Sequence, residues 1–392
     1  MACLTTTGGR TSLAYKSEAL CQNPFVEDVS AMQLINILPS DGINIEVELA
    51  DSEVIRSDRQ TTAPIAVAKD TNAGFSTYLQ VGELTDLLEG ALFGVATPIS
   101  AEFVTASAAV SSNMLVGLSF PVMSPGTRFT ITSAVESQLN GVYAVALTPE
   151  SSATAIYLDP ATPIVSANAD TLTINKFSRI TNDVYPKAFT FVQGYEGIST
   201  YVVGNNLTVG EYTLKLSVGE IPQQTFTMAG TTLRSLSADP KTATVPASNT
   251  VELNPTDNFK KFWLSVDNVP QSNLLVTNVE ITVNNNLTPF RALGSEFAAD
   301  ISEGSVGVTG TVTFALKNRT LLEAYRLGTK IQIGSILQDI AGNYFSLEIP
   351  YATITAHPNA IPARDEVVTV AATFQANVSP LTGKSVSLHY LA

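Results

Sequence analysis

The sequence has few of the side chains from which catalytic and metal sites are built. It contains two histidines, His357 and His389, and two cysteines, Cys3 and Cys21. Neither histidine lies near a Gly-x-Ser-x-Gly turn, and no Cys-x-x-Cys pair, calcium loop or glycine-rich phosphate loop is present. We therefore expect no enzymatic activity, no cofactor and no metal site, and we expect the two cysteines to be free thiols.

Charged residues and long apolar runs are also scarce. Charged residues make up 14% of the chain and hydrophobic ones 45%, and the net charge is −14. Such a surface repels phosphate, so we expect no binding to DNA through charge. No apolar run approaches the roughly 20 residues of a membrane helix, and the first residues lack the apolar segment of a secretion signal. A hydrophobic chain with so few charges indicates a subunit whose surface is partly covered by partners.

One stretch of the chain occurs twice. Residues 45–94 align without a gap with residues 279–328, at a constant offset of 234 residues that places Glu46 on Glu280. Each copy has an alternating strand, a long polar connection, a second strand and a short helix that stops at a glycine. We interpret this match as the duplication of one domain.

The segment between the two copies differs in composition from both. Residues 100–177 are rich in Ser, Thr and Ala, and Asn140-Gly141 before a short apolar run predicts a tight hairpin. The sequence therefore predicts a mainly β fold with two tandem β-sandwich domains, each with one short helix, and a small inserted β-barrel or sandwich. The boundaries are an N-terminal arm at 1–30, a first sandwich at 31–99 and 178–235, the insert at 100–177, a linker at 236–260 and a second sandwich at 261–392.

Two stretches carry candidate functional residues. Alternation in the strand around residues 43–49 places Glu46 and Glu48 on one face and four aliphatic residues on the other. The carboxylates belong either to an ordinary solvated face or, with Glu280, to the wall of a channel. In such a channel they would repel phosphate and prevent DNA from adhering.

The long polar segment that follows, Asp51–Ala73, contains Arg56, Asp58 and Arg59. It is either a flexible solvated hairpin or a subunit contact in which the arginines bind carboxylates in a bidentate manner.

Three runs carry a family resemblance. They are Val54-Ile55-Arg56-Ser57-Asp58-Arg59-Gln60, the VTNVEITVNNNL run at 276–287, and the GTRFTI run at 126–131 with its Asn140-Gly141 turn. The first two resemble tail tube (major tail) proteins of long, non-contractile-tailed bacteriophages (siphophages). The third is similar to the small β module that many of these subunits carry. The resemblance implies two tail-tube-type β-sandwiches with the insert on the tube exterior, and rings stacked around a channel through which DNA leaves the capsid.

The resemblance also implies a stoichiometry and a set of partners. Such tube domains form six-fold rings, so a chain with two copies would form a trimeric, pseudo-six-fold ring, with a hexamer as the alternative. Implied partners are further copies of the chain, a tape measure protein in the lumen during assembly, and tail terminator and distal tail proteins. DNA would pass without specific binding. The location would be the virion tail, after assembly in the host bacterial cytoplasm.

Under the same resemblance, Glu46, Glu48 and Glu280 would face the lumen, and Arg56, Asp58 and Arg59 would contact the next ring. A bacterial secretion-type tube protein is one alternative. A β-rich adhesin or carbohydrate-binding module is another, which should show a signal peptide and clustered exposed aromatic residues.

Overall fold

Strands dominate the fold of this chain. The computed structural model describes residues 11–18, 29–40, 42–51, 63–97, 103–111, 113–117, 120, 123–133, 135–146, 152, 155–159, 164, 167–246, 253, 259–271, 274–358, 364 and 367–391. Two short α-helices lie within these residues, α1 (Thr85–Leu92) and α2 (Thr320–Leu327). The mainly β fold class expected from the sequence is confirmed.

The strands fall into groups along the chain. Those before α1 are β1 (Thr11–Glu18), β2 (Met32–Ile35), β3 (Gly42–Ala50) and β4 (Ile65–Tyr78). Those between α1 and residue 176 are β5 (Phe103–Ser111), β6 (Met114–Val116), β7 (Arg128–Ser133), β8 (Gly141–Ala144), β9 (Ala155–Tyr157) and β10 (Ala167–Lys176).

The later strands surround α2. Those before it are β11 (Ser178–Thr181), β12 (Ala188–Tyr195), β13 (Thr200–Ser217), β14 (Gln223–Gly230), β15 (Thr232–Leu236), β16 (Thr244–Val245), β17 (Phe259–Val266), β18 (Val269–Pro270), β19 (Leu275–Asn284), β20 (Thr288–Phe290), β21 (Asp300–Ser302) and β22 (Gly307–Ala315). Those after it are β23 (Lys330–Gln338), β24 (Tyr344–Ala356), β25 (Thr369–Ala376) and β26 (Ser387–Leu391).

Eight strands form one continuous antiparallel sheet, which we call the inner sheet. Their order is β3–β4–β14–β13–β19–β22–β25–β24. Successive side chains of a strand point to opposite faces, so each strand contributes to an apolar and a polar face. In β13, Tyr212, Leu214 and Leu216 are buried, while the residues between them point the other way.

A second layer covers the apolar face of the inner sheet. The long strands β13 and β24 take part in both layers. Strands β12 and β15 pair with the first half of β13, whereas β26 pairs with residues 344–348 of β24 and β23 with residues between 344 and 353. Strands β1 and β17 pair in turn with β12 and β23. The main hydrophobic core lies between the layers and includes Phe75, Phe191, Phe226, Phe314 and Phe374.

Both helices pack on this core, but they end differently. The apolar side of α1 buries Leu87, Leu88 and Leu92. In α2 the left-handed residue after the helix is Gly328, with φ of 65°, as expected. In α1 that residue is Phe93, with φ of 50°, so the expected glycine stop is wrong there. Gly94 instead allows close packing, because a Cβ atom at this position would lie 2.1 Å from the carbonyl oxygen of Thr181.

Several local expectations need correction. Strand β4 begins at Ile65, inside the segment 51–73 that was expected to be a connection, because residues 65–73 run beside β3. Residues 11–18, expected to belong to an arm, form β1, which pairs with β12 along its whole length. Strand β16 lies within the expected linker at 236–260 and pairs in parallel with β2.

The strands between residues 103 and 176 form a separate sheet with its own core. Their order is β8–β7–β10–β5–β6–β9. A bridge between Val145 and Leu158 joins the two ends of this order and closes the sheet into a small barrel. Its core is distinct from the main core and includes Leu115, Phe129, Ile131, Ile156, Leu172 and Ile174.

The β7–β8 hairpin of this barrel does not use the tight turn that Asn140-Gly141 predicted. The connection contains a 3-10 turn at Ser137–Leu139, and Gly141 is not among the residues with positive φ. The side chain of Asn140 accepts a hydrogen bond from the backbone N–H of Ser133 at 2.6 Å. The hairpin is therefore present, but a longer loop stabilised by this side chain replaces the type I′ turn.

Candidate functional site

The polar face of the inner sheet is the main candidate surface among the described residues, and we call it the open face. The side chains on it are mostly Thr, Ser, Asn and Gln, at most half-buried, whereas those on the other face of the sheet are buried in the core. Its acidic members in the central strands are Glu211 and Glu280, and Lys215 lies directly opposite Glu280. The centre of the open face is thus polar, carries little net charge and has no large apolar side chains.

Side chains on neighbouring strands bond to one another across the open face. Thr213 and Thr282 share a hydrogen bond of 3.1 Å, and Ser76 and Thr225 share one of 2.9 Å. Hydrogen bonds between side chains directly opposite each other hold antiparallel strands in register. Polar groups already bonded within the sheet have less capacity to bind a passing molecule.

The end of the β3–β4 hairpin, residues 44–50 and 65–72, projects beyond the main core, and we call it the first arm. Glu46 and Glu48 lie exposed on its polar face, as the alternation predicted. The amide of Asn72 donates to Glu46 at 3.4 Å. Arg291 binds Glu48 at 2.7 Å and Asp70 at 2.5 Å, so Glu48 belongs to a fixed ion-pair cluster.

Arg291 belongs to a second arm, formed by β20 and β21 at the end of the corresponding hairpin of the second half. Besides Arg291, Glu296 of this arm binds Lys69 of the first arm. The backbone N–H of Lys69 also donates to the carbonyl oxygen of Glu296 at 3.0 Å. The two arms therefore project from the same end of the inner sheet and are joined side by side.

The sheet register does not keep the constant offset of the sequence repeat. Ile45 pairs with Thr71, and an offset of 234 would place Thr71 on Ser305. Val279, the match of Ile45, pairs instead with Val312, seven residues further along. Glu280 consequently lies within the central strands, whereas Glu46 lies on the projecting arm.

Arg56, Asp58 and Arg59, the candidate ring contacts, lie outside the described residues. Their expected role stays a prediction.

The two halves of the chain are joined through strand pairing. In β13, residues 211–217 pair with residues 278–284 of β19, so the inner sheet passes from one half to the other without a break. Asn285, 1% exposed, donates to the carbonyl oxygens of Val209 at 2.9 Å and Ala91 at 3.1 Å. The buried amide thereby fixes the second half to the strand and the helix of the first. We call this contact the in-chain junction.

The barrel rests on the second half through a buried charged cluster that sequence reasoning missed. Arg128 of β7 is fully buried, contacts Glu348 of β24 at 3.3 Å and stacks over Trp263 at 4.4 Å. Burial lowers the pKa of Arg128 and raises the pKa of Glu348. Burial, together with Arg128 and Arg179, holds the pKa of His389 well below its usual range, so this histidine is neutral.

The described residues contain no group of three or more His, Cys, Asp or Glu side chains arranged to hold a metal ion. No helix in the described part of the chain is long and apolar enough to cross a membrane.

A large sheet that exposes a polar face and continues across two joined halves is typical of a structural β protein. Residues 8–376 match the sequence profile of the phage tail tube protein family, which covers nearly the whole chain. The chain belongs to this family. Tail tube proteins are structural rather than enzymatic, assemble with themselves into a tube and form part of the virion tail. No curated protein matches the chain.

Proposed function

We propose that three copies of this chain form one ring of a siphophage tail tube and that stacked rings enclose the channel for DNA ejection. The in-chain junction is the single observation that carries this proposal. It joins two units with the same strand connections, since the β12–β13–β14 meander with the β3–β4 hairpin has its counterpart in β23–β24–β25 with β19–β22.

Repetition of this junction between chains would close the ring. Within the described residues, β3 pairs with β4 only, and the last residues of β24, 354–356, pair with β25 on one side only. The β19 hairpin meets the end of β13, so by equivalence the β3 hairpin of one chain would meet the end of β24 of the next. Six units joined in this way leave no free strand edge in the barrel, which removes sites of uncontrolled pairing.

In such a ring the open face lines the lumen. Threonine and amide side chains bonded within the sheet offer DNA few free donors, and Glu46 and Glu280 repel phosphate. Glu48 adds to this repulsion only through the net negative charge of its cluster with Asp70 and Arg291. DNA would therefore pass without specific binding. During assembly in the host cytoplasm the same surface would enclose a tape measure protein, and tail terminator and distal tail proteins would bind the tube ends.

The mass of one isolated ring tests the proposed stoichiometry. Native mass spectrometry of rings released from purified tubes should give three chains of 41.5 kDa each. Negative-stain microscopy should show hollow tubes with six-fold features in end view. A ring mass of six chains would overturn the proposal in favour of the hexamer, and globular monomers at high concentration would overturn the tube.

The lumen assignment has a separate test. Glu46→Lys with Glu280→Lys should leave tube assembly intact and lower phage titre, because phosphate would then be attracted to the wall. Glu48 is left unchanged in this variant, since its replacement would also break the ion pair with Arg291. Glu136→Lys with Glu323→Lys, two positions outside the inner sheet, is the control matched in charge and should keep the normal titre. An unchanged titre in the double variant would remove these carboxylates from the lumen.

A further inference from the structure

The first arm carries an apolar stripe as well as its carboxylates. Ile45, Val47 and Leu49 follow Ile43 at every second position of β3, so they share the face that Ile43 turns to the core. Ile43 is 7% exposed, whereas the three residues of the stripe are 39%, 41% and 58% exposed. Three adjacent aliphatic side chains exposed on a projecting hairpin indicate a contact surface.

An apolar groove lies at the opposite end of the inner sheet. It is about 390 Å³ in volume and opens between the inner sheet and the second layer, where the sandwich ends. Val218 and Leu275 at its mouth are 71% and 55% exposed. Its lining is mainly aliphatic and aromatic and includes Leu216, Val218, Phe262, Leu275, Val276 and Leu337.

The stripe and the groove are far apart within one chain. Strand β19 begins at the groove and runs toward the second arm, which is joined to the first arm at Lys69. At about 3.3 Å per residue, the separation is on the order of 40 Å, so the stripe cannot reach the groove of its own chain. In a ring closed by strand pairing, the two ends of the strands face the rings before and after it.

We propose that the stripe of one copy packs into the groove of a copy in the adjacent ring. This proposal rests on the proposed ring and names the contact that stacks one ring on the next. The two surfaces match in chemistry, since the stripe is aliphatic and the groove is mainly apolar without a charged residue in its lining. Lys69, directly opposite Val47, is held in its ion pair with Glu296. The stripe and the groove lie at the two ends that successive rings bring together. The volume of the groove is in the range that receives several side chains.

Cross-linking between copies tests the contact directly. Val47→Cys and Leu275→Cys are placed in one chain in which Cys3 and Cys21 are replaced by serine, and assembled tubes are treated with a short bis-maleimide. The expected result is a ladder of covalent multimers on a denaturing gel. Chains with either cysteine alone, or with Val47→Cys and Val135→Cys, should remain monomeric. Intact tubes without a ladder would overturn the contact and leave the proposed ring standing.

Substitution gives an independent readout. Val47→Asp and Leu275→Asp should each yield three-chain rings but few or no tubes, because a charge would be buried at the contact. Val135 on the barrel is 77% exposed, and Val135→Asp is the matched control that should form normal tubes. Normal tube lengths for both arm and groove variants would overturn the contact, whereas loss of the three-chain ring in the unmodified protein would overturn the ring itself.

Discussion

Replacement of Arg128 by methionine should loosen the barrel from the second half of the chain. Arg128 is fully buried, lies 3.3 Å from Glu348 and stacks over Trp263. Methionine retains much of the side-chain volume but removes the cation, which leaves Glu348 buried without its main partner. Breaking a buried pair from one side costs about 3–5 kcal/mol.

A second variant separates the charge from the packing. In Arg128→Met with Glu348→Gln both charges of the pair are removed, and the oxygen of the new amide can still accept from Gln332, which bonds to Glu348 at 3.1 Å. The double variant should therefore be more stable than Arg128→Met alone, by about 1–3 kcal/mol. The coupling energy of the pair is the cost of the double variant minus the summed costs of the two single variants.

The single tryptophan of the chain lies at this contact, so its fluorescence can follow the loss of the contact in each variant. Trp263 lies under the guanidinium group, so its fluorescence reports on this contact during urea unfolding. Each variant is measured as unassembled protein, and the midpoints are compared in a double-mutant cycle with Glu348→Gln. The reasoning is refuted if Arg128→Met costs less than about 1 kcal/mol, or if the double variant is as unstable as the two single variants added.

Three further predictions concern other buried groups. Burial raises the pKa of Glu83 to about 7, so the folded state favours the protonated acid and loses stability as pH rises from about 4.3 to 7. Glu83→Gln should then melt a few degrees above the unmodified protein at pH 8 and equally at pH 4, measured by calorimetry. Gly334→Ala should lower stability by about 1–3 kcal/mol in urea unfolding, because the new Cβ would lie 2.0 Å from the ring of Trp263. Asn285→Ala should cost about 1–3 kcal/mol and speed amide hydrogen exchange at the in-chain junction, since two buried carbonyl groups lose their donor.

The strand pattern around the candidate site was predictable because it depends on neighbours in sequence. Alternation alone placed Glu46 and Glu48 on the polar face of β3. The start of β4 was missed, because residues 65–73 are polar on one side and gain their partner only through pairing with β3. The ungapped repeat gave the order of elements but not the register, which is set by hydrogen bonding between strands.

The charged cluster at the barrel could not be predicted from sequence. Arg128 lies in an alternating run whose polar positions are typical of a solvated face. Its burial results from Glu348 and Trp263, which are distant in the chain and reach it only in the folded protein. The αL residue Phe93 is a similar case, since tertiary packing overrides the preference for glycine there.

The in-chain junction has a kinetic consequence for assembly. Its two partners, β13 and β19, are covalently connected, so they meet at an effective concentration that linked segments commonly hold in the millimolar range, whatever the concentration of the protein. In the proposed ring half of the six joints would thus form during folding, and only three would depend on collision between chains. Growth by double units also restricts closure to even numbers of units, which rules out rings of five or seven. The covalent link between the two units would thus help to set the number of units in the ring as well as hold them together.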